Sequence, residues 1–196
     1  MSLDLTVYCQ EISETLIPKI VKRLNDFDMA VEIHPGFKFD EQADTGFLPF
    51  KFRFKNPKHV DLKDKDLLSG FEIYFSNFDL AAAKEEMKPK PGFFNIILGK
   101  KKEEEVFFSS PEIENKLKLC KKSVSFVWHV GDTFEFRFAS LTSAILTEIT
   151  DGVRHYAADD IWYDNHNIVE NAFKEFDEYE RSLTDQEIVI HEFEGW

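Results

Sequence analysis

The sequence predicts a single α+β domain over residues 1–196: a mainly antiparallel sheet with helices packed on one face, as one pair of layers. Three observations predict it. Several segments alternate apolar and polar residues with period two, which sends one side of an extended chain into a core. Others repeat apolar residues every three or four positions, as an amphipathic helix does. The two kinds are interspersed, with no internal repeat and no low-complexity linker. A chain of 196 residues can bury one good core.

The first element predicted is a helix on the stripe Ile12, Leu16, Ile20, Leu24 and Phe27, with a kink or restart expected at Pro18 because proline lacks an amide hydrogen. Met29, Val31 and Ile33 alternate and predict a strand ending at Pro35-Gly36. The clearest strand runs from Leu48 to Lys55, with Leu48, Phe50, Phe52 and Phe54 on one side and Lys51, Arg53 and Lys55 on the other. Phe71, Ile73 and Phe75 repeat the pattern, and Glu72 is expected to face Lys51 or Arg53 across a ladder. Residues 56–69 read as a polar connector.

Residues 84–92 read as a charged loop or helix end, 93–98 as a buried strand, and 100–105 as a solvated turn. Ser110-Pro111 starts a short helix, with proline at an allowed first-turn position. Val124, Phe126, Trp128 and Val130 make another strand. After the turn Gly131-Asp132-Thr133, the stripe Phe134, Phe138, Leu141, Ile145 and Ile149 predicts a helix, with Gly152 supplying a left-handed C-cap. Residues 153–157 form a short strand and 159–163 a turn. A last helix is capped near Asp164 or Asn165 and buries Val169, Ala172, Phe173, Phe176 and Leu183. Residues 187–193 read as a final strand.

Composition excludes some classes. The 21 phenylalanines rule out a disordered chain, which would be poor in aromatics. No apolar run approaches the roughly 20 residues that span a bilayer, so no membrane partner is expected. The N-terminus lacks the pattern of a secretory signal, and Cys9 and Cys120 make no Cys-x-x-Cys pair; a cytoplasmic protein with two buried thiols is expected, one disulfide being the alternative. The net charge of -13 is unevenly spread: residues 140–196 hold fourteen Asp/Glu against three Lys/Arg. Acidity disfavours nucleic acid and steers association with basic surfaces, although it also serves solubility alone.

No phosphate loop, dinucleotide fingerprint, His-Glu-x-x-His or Gly-x-Ser-x-Gly occurs, and no cofactor is implied. His155, Asp159, Asp160, Asp164 and His166 could bind a divalent metal and activate water, as in a metal-dependent hydrolase. Their alternative role is in turns and caps. His129 and Asp132 with Ser140 or Ser143 would need triad geometry to act. Lys51, Arg53, Lys55 and Lys58 lie opposite the phenylalanines, so a base could not stack where its phosphate is neutralised, and direct nucleic-acid binding is not expected. On the last helix, Glu170 with Lys174 and Asp177 with Arg181 are spaced to pair.

The run from Phe134-Glu-Phe-Arg-Phe-Ala-Ser-Leu-Thr-Ser-Ala through Thr150-Asp-Gly to Asp160-Ile-Trp-Tyr-Asp resembles small bacterial immunity-type proteins of polymorphic, contact-dependent or type VI toxin systems. The resemblance covers the last third of the chain. It implies a cytoplasmic, non-enzymatic antidote that binds a cognate protein toxin with a basic surface. The face expected to do so comprises Asp159, Asp160, Trp162, Tyr163, Asp164, Glu175 and Glu178, with long-range charge speeding encounter and a few buried aromatic and charged contacts setting the off-rate. Two alternatives stand beside it: the metal-dependent hydrolase, and a homo-oligomeric scaffold extended through the phenylalanine-rich sheet.

Overall fold

A computed structural model describes residues 3–39, 46–87 and 108–196. The strand expected at 93–98 and the turn at 100–105 lie outside the described residues. An antiparallel sheet is built from β1 (Leu3–Cys9), β2 (Met29–Ile33), β3 (Gly46–Phe54), β4 (Leu67–Asn77), β5 (Lys122–Trp128), β6 (Val153–Tyr156) and β7 (Ile161–Tyr163), in the order β2-β3-β4-β5-β1-β6-β7. A two-residue strand, β8 (His191–Glu192), adds to β4 at Leu67 and Leu68. Five helices accompany it among the described residues: α1 (Leu16–Leu24), α2 (Leu80–Met87), α3 (Pro111–Leu117), α4 (Glu135–Thr150) and α5 (Ile168–Ser182). The α+β class with a mainly antiparallel sheet is as the alternation predicts. No described helix is long and apolar enough to cross a membrane.

The sheet forms because its strands are two-faced. Leu5 and Val7 of β1, Phe50 and Phe52 of β3, Phe71 and Ile73 of β4, and Val124 and Phe126 of β5 all point into one core. That core is closed by α4, buried along its whole length from Arg137 to Thr147 between the sheet and helices α1 and α5. Phe50 stacks on Phe138 of α4 at 4.4 Å, and Phe134 meets Phe52 and Phe54 edge-on. Aromatic pairs of this kind add roughly 0.5–1.5 kcal/mol each beyond burial. On the reverse face Ile113 and Leu117 of α3 cover Val153, Tyr8 and Trp162 in a smaller cluster. Ser110 caps α3, its hydroxyl accepting from the Ile113 amide at 3.2 Å, with Pro111 at the first turn as expected.

Several local expectations are corrected. Residues 3–9 form a central strand, although no element was assigned to them. Pro18 does not kink α1: the helix begins at Leu16, so proline occupies its first turn, where an amide would have no intrahelical partner. Glu72 sits opposite Phe47, not Lys51 or Arg53. The basic residues instead find Asp66, which Arg53 reaches at 2.8 Å and Lys51 at 3.7 Å. Glu170 pairs with Arg23 at 3.1 Å across helices; Asp177 and Arg181 do pair as spaced, at 2.6 Å. Left-handed backbone at the end of α4 is supplied by Asp151, at φ 49°. Gly152 serves another purpose: a Cβ there would lie 2.5 Å from the Tyr8 carbonyl oxygen of the neighbouring strand. Residues 161–163 are an edge strand, not a turn, and the last strand is only His191–Glu192.

Candidate functional site

The half of the sheet made by β5, β1, β6 and β7 carries a cavity of about 500 Å³ under the start of α4 and the middle of α5. Strand register explains what reaches it. Residues directly opposite in an antiparallel ladder share a face. One row across the sheet is Ile161, Tyr156, Leu5 and Phe126; the next is Tyr163, Arg154, Val7 and Val124. The first three residues of the former row, and the first two of the latter, line the cavity. From above, Phe136 and Ser140 of α4 and Glu175 and Tyr179 of α5 close it. Trp128 stacks on Phe136 at 5.6 Å, and Phe136 meets Tyr179 edge-on at 6.1 Å, giving one aromatic wall.

Arg154 is the unusual member. Its side chain sits inside the protein at 1% exposure. Its Nη1 makes one long contact, 3.4 Å, to the Ser140 carbonyl, and its guanidinium lies 4.6 Å from the Tyr163 ring. Nε has no hydrogen-bond partner, and neither does the Ser140 hydroxyl. No carboxylate pairs with Arg154 among the described residues. Burial pushes its pKa down, with Glu175 and then Tyr163 opposing. Burial also raises Tyr163, with Glu175 adding to the effect, and raises Tyr156, with Asp159 adding.

The mouth is framed by apolar side chains in the open: Val130 at 59% exposure, Ile161 at 41% and Tyr179 at 38%. Val130 adopts φ 61°, left-handed backbone that a β-branched residue disfavours. Beside it, Asp132 fixes the start of α4. Its Oδ1 accepts from the amides of Phe134 at 2.6 Å and Glu135 at 3.1 Å and from the Ser69 hydroxyl at 3.0 Å. Thr133 pins the C-terminal segment, its hydroxyl accepting from the Val189 amide at 2.8 Å.

The seven residues expected to share one face are divided. Asp159, Tyr163 and Glu175 line the cavity, the two carboxylates at its exposed rim. Trp162 points the other way, as strand alternation requires: it stacks on His155 at 4.0 Å and lies in the reverse-face cluster. Asp160 turns back on the same pair, accepting from Trp162 Nε1 at 3.2 Å and contacting His155 Nε2 at 3.0 Å. Asp164 accepts from the His166 amide at 2.9 Å and, with Trp162, Tyr163 and Lys116, lines a second cleft. Glu178 is exposed on α5. Sequence reasoning missed Arg154 and the aromatic wall, and weighed Ser140 only as a nucleophile beside His129 and Asp132.

The other constellations are also resolved. Among the described residues, no group of three or more His, Cys, Asp and Glu side chains could hold a metal ion, so His155 to His166 do not converge on one. Asp132 spends its acceptor on the α4 cap, and the Ser143 hydroxyl donates to the Ser140 carbonyl at 2.9 Å; His129 faces Glu72 at 3.5 Å instead. No triad forms.

Set against known proteins, the chain matches no family model, and no solved structure matches it. It is 28% identical over 162 residues to Transaldolase NQM1 of Saccharomyces cerevisiae, a stretch covering 81% of this chain and 45% of the yeast protein. The chain therefore spans less than half the length of that relative. This overturns the expectation of a toxin-neutralising immunity protein: the similarity found is to a protein named as a transaldolase, not to an antidote.

Proposed function

We propose that the protein binds a small, largely apolar molecule in the cavity between the β5-β1-β6-β7 half of the sheet and helices α4 and α5. The observation that carries the reading is the cavity itself: about 500 Å³, walled by Leu3, Leu5, Trp128 and Phe136, with a buried guanidinium at its floor. Small-molecule sites fall at roughly 300–1,000 Å³ and combine apolar walls with a few placed polar groups. Exposed Val130, Ile161 and Tyr179 extend the apolar lining to the mouth, where a bound molecule would cover them.

Similarity to Transaldolase NQM1 favours a second reading, in which the bound molecule is also turned over. Covalent carbonyl chemistry through an amine needs a lysine nucleophile. No lysine lines the cavity among the described residues, which supports binding over that chemistry.

Titration with N-phenyl-1-naphthylamine, a neutral probe that fluoresces in apolar surroundings, tests the proposal. One saturable site per chain is expected. Leu3→Trp, which fills the cavity from β1, should weaken it about tenfold or more, the loss of roughly 1.4 kcal/mol. No enhancement, or binding indifferent to Leu3→Trp in a folded variant, would overturn the reading.

A further inference from the structure

Two arginines reach the interior, Arg137 from α4 and Arg154 from β6, and they differ in one respect. Arg137 is satisfied by a carboxylate: its Nε donates to Glu180 Oε1 at 2.8 Å, and its Nη2 bonds the second oxygen. Arg154 is as deeply buried but has no carboxylate partner among the described residues. A buried, unpaired charge is costly, and a fold normally provides its counter-ion. The Tyr163 hydroxyl and, at longer range, the rim carboxylate Glu175 act on Arg154, yet its Nε has no partner, and neither does the Ser140 hydroxyl that lines the same cavity. A buried cation without a carboxylate partner and with an unpaired Nε, beside an unpaired hydroxyl, calls for an acceptor that carries negative charge.

We propose that the cavity is selective for a monocarboxylate on an apolar body, its carboxylate held by Arg154 and the Ser140 hydroxyl. This rests on the ligand-binding reading above and names the ligand's chemical class. The planar guanidinium fork matches a carboxylate, and charge-assisted hydrogen bonds of this kind are about twice as strong as neutral ones. The charge of the ligand is limited by the rest of the lining. Asp159 and Glu175 stand at the rim and Asp132 in the wall, so a doubly charged phosphate would meet three carboxylates against one arginine. Leu3, Leu5, Trp128 and Phe136 offer the remainder of the ligand an apolar wall, which fits an aromatic or aliphatic body. In the ladder Arg154 sits between Val7 of β1 and Tyr163 of β7, and this register sends its side chain to the cavity face.

Calorimetric titration at pH 7 with 2-naphthylacetate and its neutral isostere 2-naphthylacetamide tests the assignment. The acid should bind about tenfold or more tightly than the amide, the equivalent of about 1.4 kcal/mol, since hydrogen bonds between charged groups are the stronger ones. Arg154→Met, with its fold checked by circular dichroism, should abolish the preference, and Ser140→Ala should reduce it several-fold. The wild-type comparison decides even where Arg154→Met fails to fold. Equal affinity for acid and amide would overturn the carboxylate assignment and leave the cavity reading standing, as would a preference that survives in folded Arg154→Met. Binding of neither compound, together with failure of the neutral probe, would overturn both.

Discussion

Arg137 of α4 and Glu180 of α5 form a forked ion pair inside the protein, with 5% and 7% of their side chains exposed. The guanidinium also lies 4.9 Å from the Phe54 ring and 4.4 Å from the Phe176 ring. The pair joins the central helix to the helix that roofs the cavity. Removing one partner of such a pair strands a charge, at about 3–5 kcal/mol, whereas apolar replacement of both is often near neutral. Glu180→Ala should therefore lower the urea midpoint far more than Arg137→Met with Glu180→Leu together. Equal losses in the two variants would show that the pair stabilises as a unit, and not through the cost of breaking it.

Val130 at the cavity mouth is predicted to be a strained residue. Left-handed backbone costs an ordinary L-residue roughly 1–2 kcal/mol, and a β-branched one is a stronger outlier. Val130→Asn should raise the melting temperature, because asparagine tolerates that conformation, and should weaken probe binding by removing an apolar rim residue. Strain kept at a site suggests that the side chain is needed there. A fall in melting temperature would show that Val130 is not strained.

Asp132 should make stability fall as pH rises through its titration. Burial holds its carboxyl above the ordinary value of 3.8, with hydrogen bonds from the Phe134 amide and the Ser69 hydroxyl opposing. The folded state then binds the proton more tightly than the unfolded one, so the contribution is complete below 3.8 and is lost as pH rises through the raised folded value. Asp132→Asn keeps an acceptor for the α4 amides and removes the titration. The stability of the wild type minus that of Asp132→Asn should decrease with pH across this window and be flat above it. An increase with pH would contradict the sign.

Cys9 and Cys120 are free, buried thiols. Burial is the largest cause in each, pushing Cys9 up to about 12 and Cys120 to about 11. The thiolate is the reactive species. Native protein at pH 8 should react with a disulfide reagent only slowly, while both thiols should react at once in guanidinium. Rapid labelling of either thiol in the native protein would contradict their burial.

The period-two runs at Phe50–Phe54, Phe71–Phe75 and Val124–Trp128 were legible because each keeps one face in the core over several residues. The Leu3, Leu5, Val7, Cys9 alternation was equally legible and went unused beside the stronger helical stripe that follows it. Ile161-Trp162-Tyr163 was not: three residues after two aspartates read as a turn, and only pairing with β6 makes them a strand. The same pairing sends Trp162 and Tyr163 to opposite faces of the sheet, although both still border the cleft that Asp164 lines. Arg154 could not be found locally either. A charged residue in a short strand reads as solvent-facing, and its burial depends on α4 and α5 closing over the sheet. The cavity draws residues from β1, β5, α4, β6, β7 and α5, which no spacing within one segment reports.

The most direct test of the ligand-binding account is amide chemical-shift mapping on ¹⁵N-labelled protein titrated with N-phenyl-1-naphthylamine. The account predicts saturable shifts concentrated at Leu5, Phe136, Ser140, Arg154 and Tyr179, which are brought together only by the cavity. Shifts centred instead on Phe47 or Trp196, exposed residues outside the cavity lining, or no saturable shifts at all, would contradict it.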